Sequence, residues 1–178
     1  IEGKIPEELP GGTPGGEEWS RERGINLEVK DSVEDFTSTT KLTLYFCLPA
    51  GERTFYLPVT RVIPAVGEEE LISVALQELL AGPRRGSGLF SDLPPELGIK
   101  EIIRNEQGLV VNFNNAFNAY RGGVTGAENI LNQIVLTLTE FPGVETVQVL
   151  VDGEQVILPD GISLLSPLKR PEYYNFLE

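Results

Sequence analysis

From Lys41 the chain alternates apolar and polar side chains, the period-two pattern of a β-strand. In "KLTLYFC" the residues Leu42, Leu44 and Phe46 fall on one face, and the opposite face is also partly apolar. After the turn "PAGER" comes a second β-rich run, "TFYLPVTRVI", whose Pro58 indicates a sheet edge or a bulge. The two runs together predict a β-hairpin over Lys41–Ile63.

Two further segments have the three- and four-residue spacing of amphipathic helices. In "GEEELISVALQELLAG" the apolar residues predict a helix over Glu68–Ala81. Its glutamates, Glu68, Glu69 and Glu70, are expected in the first turn, where negative charge complements the helix dipole. The segment "ENILNQIVLTLTEF" has a broader apolar stripe and predicts a second helix over Gly126–Phe141.

The remaining regular segments have the character of strands. "IKEIIRNEQGLVVNF" predicts a hairpin over Ile99–Phe113, and "VETVQVLV" predicts a strand over Val144–Val151 that ends in a tight turn at Asp152 and Gly153. The step from Leu109 to Val151 has the form of a strand–helix–strand crossover. The fold class is therefore α+β, with two helices packed on one face of a small mixed sheet in the order ββ-αββαβ.

Composition divides the chain into three parts. Residues 1–38 are acidic and rich in Pro and Gly, which predicts a mostly flexible linker, although "INLEVK" could instead dock as a short edge strand. Residues 39–170 form the domain, and residues 171–178 are a C-terminal tail. The net charge of −13 and the pI near 4.5 argue against nucleic acid and anionic membrane surfaces as partners.

The glycine-rich stretch "RGGVTGAEN" precedes the second helix, where nucleotide-binding proteins hold phosphate. A Walker loop would need Lys and Ser or Thr after Gly126, but Ala127 and Glu128 follow, and the G-x-G-x-x-G spacing is also missing. The short G-x-x-G loop of some RNA-binding domains is matched by only two residues. The structural interpretation is stronger: Thr125 and Glu128 form a T-x-x-E capping box, and the preceding glycines allow positive φ or a close approach.

The sequence contains few of the residue combinations that enzymes use for catalysis. The chain has no histidine, which excludes Ser-His and Cys-His machinery and the usual zinc sites, and its single cysteine, Cys47, cannot form an internal disulfide. "SPLK", Ser166 to Lys169, fits S-x-x-K, but Pro167 lies inside it and the companion motifs are missing. With 27 acids some carboxylate pair is inevitable, and none stands out. The sequence thus predicts no enzyme, no cofactor and no metal.

Several motifs together resemble the GerM (GerMN) domain of sporulation and spore-germination proteins. They are "LTLYF", "YLPVTRVIP", "ALQELLAGP", "VVNFNNAF" and "YRGGVTGAENILNQIVLTLTEFPGVETVQVLVDG", which span about Lys41 to Lys169. The resemblance implies a fold similar to the ring-building motif and no catalytic residues. It also implies that the motif positions are structural: Phe113, Tyr120, Gly122, Gly123, Thr125, Glu128, Phe141, Pro142, Gly143, Asp152 and Gly153.

The resemblance further implies an extracytoplasmic domain that is held at the cell membrane by a lipid or a single span. The start at Ile1 and the lack of methionine are typical of a mature or trimmed chain, so the anchor is expected outside it. We expect contacts with envelope or sporulation-complex proteins, or with itself, in ring or envelope-complex assembly. The alternative is a peptidoglycan-binding accessory domain, for which the candidate aromatic platform is Phe90, Tyr120, Tyr173 and Tyr174.

Overall fold

The computed structural model describes residues 26–29, 38–106 and 108–175, together with the backbone of two short paired strands, β1 (Glu8–Leu9) and β2 (Thr13–Pro14). The further elements in chain order are β3 (Glu28–Val29), β4 (Thr39–Ala50), β5 (Arg53–Pro64), α1 (Leu71–Leu80), β6 (Ile99–Asn105), β7 (Gly108–Phe113), α2 (Gly123–Leu138), β8 (Thr146–Val151) and β9 (Leu168–Lys169). The α+β class with two helices is confirmed.

Strands β4 and β5 form the predicted hairpin, and β3 adds to it in parallel to make a three-stranded sheet of order β3-β5-β4. The edge strand considered for "INLEVK" therefore exists as Glu28–Val29, opposite Arg61 and Val62. Apart from residues 8–9, 13–14, 26–29 and 38, the proposed linker lies outside the described residues.

The other strands form a second sheet of order β6-β7-β8-β9 rather than extending the first. Strands β7 and β8 pair in parallel through the crossover helix α2, as the sequence predicted. The structure has two sheets where one was expected, because residues far apart in the sequence meet at β4. The outer edge of β4 is occupied by other groups: Tyr45 N–H donates to Thr137 Oγ1 on α2, and the backbone of Cys47 bonds to Phe90.

Both helices begin at positions other than those predicted. Helix α1 starts at Leu71, and Glu68, Glu69 and Glu70 lie in the turn before it. In that turn Glu70 N–H bonds to Gly67 and Leu71 N–H to Glu68, so the first four-residue helical bond is Val74 N–H to Glu70. The expected first-turn placement of the three glutamates is therefore wrong.

Helix α2 starts at Gly123, so the predicted Thr125–Glu128 capping box is also wrong. Gly122 occupies the N-cap with a φ of 96° and no side chain caps the helix, whereas Thr125 is already inside its first turn. The positive φ predicted as one role of the glycines before Thr125 is confirmed. Gly122 and Gly123 have positive φ, and a Cβ on Gly126 would lie 2.0 Å from the Arg121 carbonyl oxygen.

One hydrophobic cluster connects both helices and both sheets. Phe46 on β4, Leu76 on α1, Ile134 on α2 and Val149 on β8 all belong to it and have no exposed surface. A smaller cluster on the other side of β4 contains Tyr45, Cys47, Tyr56 and Leu136, with Phe90 and Tyr174 packed on its margin. Helix α2 and strand β4 each contribute to both clusters and therefore connect them.

Candidate interaction surface

A groove of about 770 Å³ separates α1 from the hairpin β6–β7; we call it the α1–β6 groove. Ile72 from the helix and Ile99, Ile102 and Leu109 from the hairpin supply its apolar lining. The spacing that buries one face of α1 places Ser73 and Gln77 along the groove wall. The groove thus combines an apolar floor with polar walls, as docking sites for protein segments do.

The mouth of the groove is acidic. Glu68, Glu69 and Glu101 are exposed there. The two basic residues of the lining are engaged elsewhere, since Lys100 pairs with Asp152 and Arg104 donates to the Pro142 carbonyl oxygen at 2.6 Å. A complementary partner would therefore present apolar and basic side chains.

Strand β6 also forms the open edge of the four-stranded sheet. Within the described residues it pairs only with β7, through six residue pairs, and Ile103 on it is 48% exposed. The charged side chains of Lys100, Glu101 and Arg104 are the usual protection of such an edge against unspecific pairing.

In the three-stranded sheet, side chains bond to backbone groups of β5 that β3 does not cover. Tyr56 N–H donates to Asn175 Oδ1 at 2.6 Å, and Asn175 Nδ2 donates to the Tyr56 carbonyl oxygen. Pro58 has no N–H to offer, and its carbonyl oxygen accepts from Asn26. Pro58 lies on the middle strand of the order β3-β5-β4, on a stretch that β3 does not cover, so the edge predicted from Pro58 is limited to that stretch of β5.

The motif residues of the second helix collect at its two ends. At the start, Tyr120 donates its hydroxyl to Asp160 at 2.6 Å and is half-buried; Thr125 and Glu128 are exposed on α2. At the end, half-buried Phe141 packs against the main core. The carbonyl oxygen of Pro142 accepts a hydrogen bond from Arg104. Gly143 has a φ of 76°.

The other motif residues lie where β7 and β8 end. Phe113 is fully buried and its ring lies 5.4 Å from that of Phe117. Asp152 and Gly153 both have positive φ and form the predicted tight turn. Gly153 N–H donates to Asn112 Oδ1 and Asp152 N–H to the Phe113 carbonyl oxygen. These residues shape the β7–α2–β8 unit, and the structure does not bring them together into one site.

The four aromatic candidates for a sugar platform are dispersed. Phe90 and Tyr174 pack on the small cluster, half-buried Tyr120 packs on the main one, and Tyr173 is 74% exposed. A stacking platform needs several exposed faces in one plane, so no such surface appears in the described part of the chain.

Sequence reasoning missed a polar cluster around Arg170. Its guanidinium donates to the Leu136 carbonyl oxygen, Thr139 Oγ1, the Tyr45 hydroxyl, Glu140 Oε1 and the Tyr174 hydroxyl, at distances between 2.8 and 3.1 Å. Burial, a bond to Tyr174 and the nearby Glu140 raise the pKa of Tyr45. No sequence signal pointed to this cluster, because its members come from three separate segments.

A second polar chain covers the other end of the small cluster. Tyr56 donates its hydroxyl to Asn129 at 2.8 Å, and Asn129 donates to Asp92 at 2.6 Å. Burial, and secondarily the charge of Asp92, raises the pKa of the Cys47 thiol to about 12. A thiol with such a pKa is a poor nucleophile at neutral pH, so Cys47 acts as a small core hydrophobe.

Within residues 26–29, 38–106 and 108–175, no group of three or more Cys, Asp or Glu side chains is placed to hold a metal ion. Neither helix of this part has the length and apolarity needed to cross a membrane.

The order hairpin, helix, hairpin, helix, strand, with a parallel β7–α2–β8 unit, defines the class of this α+β domain. The family model described as "Germane: Sporulation and spore germination" matches residues 43–157. The chain belongs to this Germane family.

Relatives agree with this assignment. The spore germination protein GerM of Bacillus subtilis (strain 168) is 36% identical over 180 residues, which cover 98% of this chain. They cover 49% of GerM, so the chain spans about half the length of this curated relative.

Solved structures give the same picture. The tandem GerMN domains of Bacillus subtilis GerM match with a TM-score of 0.74 and 34% identity, covering 96% of this chain and 59% of that one. A putative lipoprotein from Clostridium perfringens, at 20% identity and a TM-score of 0.51, covers 74% of this chain and 88% of that one. The latter likeness concerns the fold alone.

Proposed function

We propose that this domain is a non-catalytic, extracytoplasmic part of the cell envelope in sporulation or germination. It acts by binding another protein through the α1–β6 groove. The observation that carries the proposal is that the α1–β6 groove, with its apolar and acidic lining residues, lies beside the open edge strand β6. The lack of histidine supports a role without catalysis.

The acidic mouth of the groove favours a partner segment with apolar and basic side chains. Such a segment could belong to an envelope protein or to another copy of this chain, which would give a ring or other complex. Membrane attachment through an anchor outside this chain would place the groove at the envelope. Peptidoglycan binding remains a prediction that the dispersed aromatic side chains do not favour.

Site-specific photo-cross-linking in sporulating cells tests this proposal. A benzoylphenylalanine in place of Gln77, which is exposed on the groove wall, should form adducts with envelope proteins or with a second copy. The matched control carries it in place of Val124, which is 48% exposed at the start of α2. Reversing the charge of Glu68 and Glu69 should weaken the adduct at position 77. Equal adducts from both positions, or none from position 77, would overturn the proposal.

A further inference from the structure

A second cavity lies at the far end of the β4–β5 hairpin. Helix α1 ends at Leu80, and the chain then runs over the hairpin until the backbone of Phe90 pairs with that of Cys47. Beneath this loop is a cavity of about 580 Å³, which we call the Arg84 pocket. Its volume falls in the range of about 300–1,000 Å³ that is usual for small-molecule sites.

The floor of the Arg84 pocket is apolar. Leu48 continues the core face of β4, on which Leu44 and Phe46 are fully buried, but Leu48 itself is only half-buried. Leu57 on β5 and Leu89 in the loop are also half-buried and line the same cavity. The hydrophobic face of the hairpin is therefore incompletely covered at this end, where an apolar ligand would gain contacts.

The rim carries two unpaired positive charges. Arg84 and Arg85 are exposed, and neither guanidinium has a hydrogen-bond or ion-pair partner within the described part of the chain. The acid in the lining, Glu28, is already engaged: its carboxylate accepts Arg61 Nε at 3.0 Å and the backbone N–H of Arg84 at 3.1 Å. The rim therefore carries a local excess of positive charge in a chain whose net charge is −13.

We propose that the Arg84 pocket binds a small amphipathic anion, an apolar chain that ends in a single carboxylate. The chain would lie on Leu48, Leu57 and Leu89, and the carboxylate would meet Arg84 and Arg85, whose planar guanidinium groups match carboxylate geometry. Gly86 has no atom within 4 Å of the position of a Cβ, so the mouth beside the arginines is open. This binding activity is additional to the α1–β6 groove and uses none of its residues.

Titration calorimetry with decanoate below its critical micelle concentration tests the site. Binding by the intact chain is expected, whereas acetate, which keeps the head group, and decyl maltoside, which keeps the chain with a neutral head, should each bind at least tenfold more weakly. The double variant R84Q/R85Q should lose at least tenfold in affinity for decanoate. Since both side chains are exposed and unpaired, its urea unfolding curve should match the wild type.

The matched control is R121Q/K169Q, which removes the same charge from exposed positions outside the pocket. It should keep the affinity for decanoate within twofold of the wild type. A second variant, Leu89→Asn, addresses the apolar floor and should weaken decanoate but not acetate. Three results would overturn the proposal: no decanoate binding at millimolar concentration, equal loss in the two double variants, or acetate binding as tightly as decanoate.

Discussion

Among single residues, Gly126 is one of the positions where the backbone leaves no room for a side chain. It lies in the first turn of α2 with ordinary helical φ, so its conformation would suit any residue. What excludes a side chain is space, since a Cβ would lie 2.0 Å from the Arg121 carbonyl oxygen and 3.0 Å from its carbonyl carbon. These are backbone atoms, held by the turn at Gly122 and Gly123, and they cannot rotate away as a flexible side chain would.

The substitution Gly126→Ala should therefore lower the free energy of unfolding by about 1–3 kcal/mol, the usual cost of overpacking. This loss would outweigh the gain in helix propensity of about 1 kcal/mol that Gly to Ala normally gives. Urea unfolding followed by circular dichroism measures the change, with Val124→Ala, exposed in the same turn, as the control. An unchanged or higher stability of Gly126→Ala would show that the Arg121 carbonyl can move.

At the scale of elements, side chains and loop backbone bond to parts of the three-stranded sheet that no strand covers. Thr137, Phe90 and Asn175 each bond to outward-facing backbone groups of β4 or β5. The segment that carries Asn175 is held in turn by Arg170, whose guanidinium reaches the Leu136 carbonyl oxygen near the end of α2. A positive charge at this end of a helix is also favoured by the helix dipole.

Arg170→Ala should lower the free energy of unfolding by about 2–3 kcal/mol, because it leaves several partly buried acceptors without their donor. Arg170→Lys keeps the charge, but a single ammonium cannot reach all the partners of the planar fork, so it should restore less than half of the loss. Thermal or urea unfolding gives the values, and Lys169→Ala, an exposed neighbour, should stay within about 0.5 kcal/mol. Full rescue by lysine would contradict the assigned geometry.

Local periodicity was enough to predict these elements but not how they assemble. The hairpins and helices follow from spacing within each segment, as Leu42, Leu44 and Phe46 show. The division into two sheets depends on Thr137, 92 residues from its partner Tyr45, and no local pattern encodes such a contact. The capping box failed for a local reason, since Gly122 in the left-handed conformation starts the helix before Thr125. The α1–β6 groove likewise arises from the approach of two elements that were predicted separately.

At the scale of the whole molecule, the main core joins both sheets. We therefore expect the two sheets to unfold together, with one free energy of unfolding. Its pH dependence follows from which groups titrate inside that unit. The chain has no histidine, and therefore little change is expected between about pH 6 and pH 8. Burial raises the pKa of Cys47 to about 12 and also raises that of Tyr56, from ordinary values of 9.0 and 10.0.

Because folding raises both pKa values, the free energy of unfolding must fall as the pH becomes alkaline. Below pH 9 both states of the protein keep the thiol protonated, and the stabilisation is fully present. As the pH rises from 9 towards 12, the unfolded chain loses the proton of Cys47 while the folded chain retains it, so the free energy of unfolding falls. Tyr56 adds to the fall once the pH exceeds 10.

Urea unfolding at pH 7, 9 and 10.5 measures this fall, which should begin only above about pH 9. Cys47→Ala lowers stability at every pH, because it removes buried volume, but its curve should decline less steeply between pH 9 and 10.5 than that of the wild type. Comparing slopes separates the ionisation of the thiol from the lost packing. The same slope in both proteins would mean that solvent reaches Cys47 in the folded state. Phe90 and Asp92 would then not shield the small cluster from water.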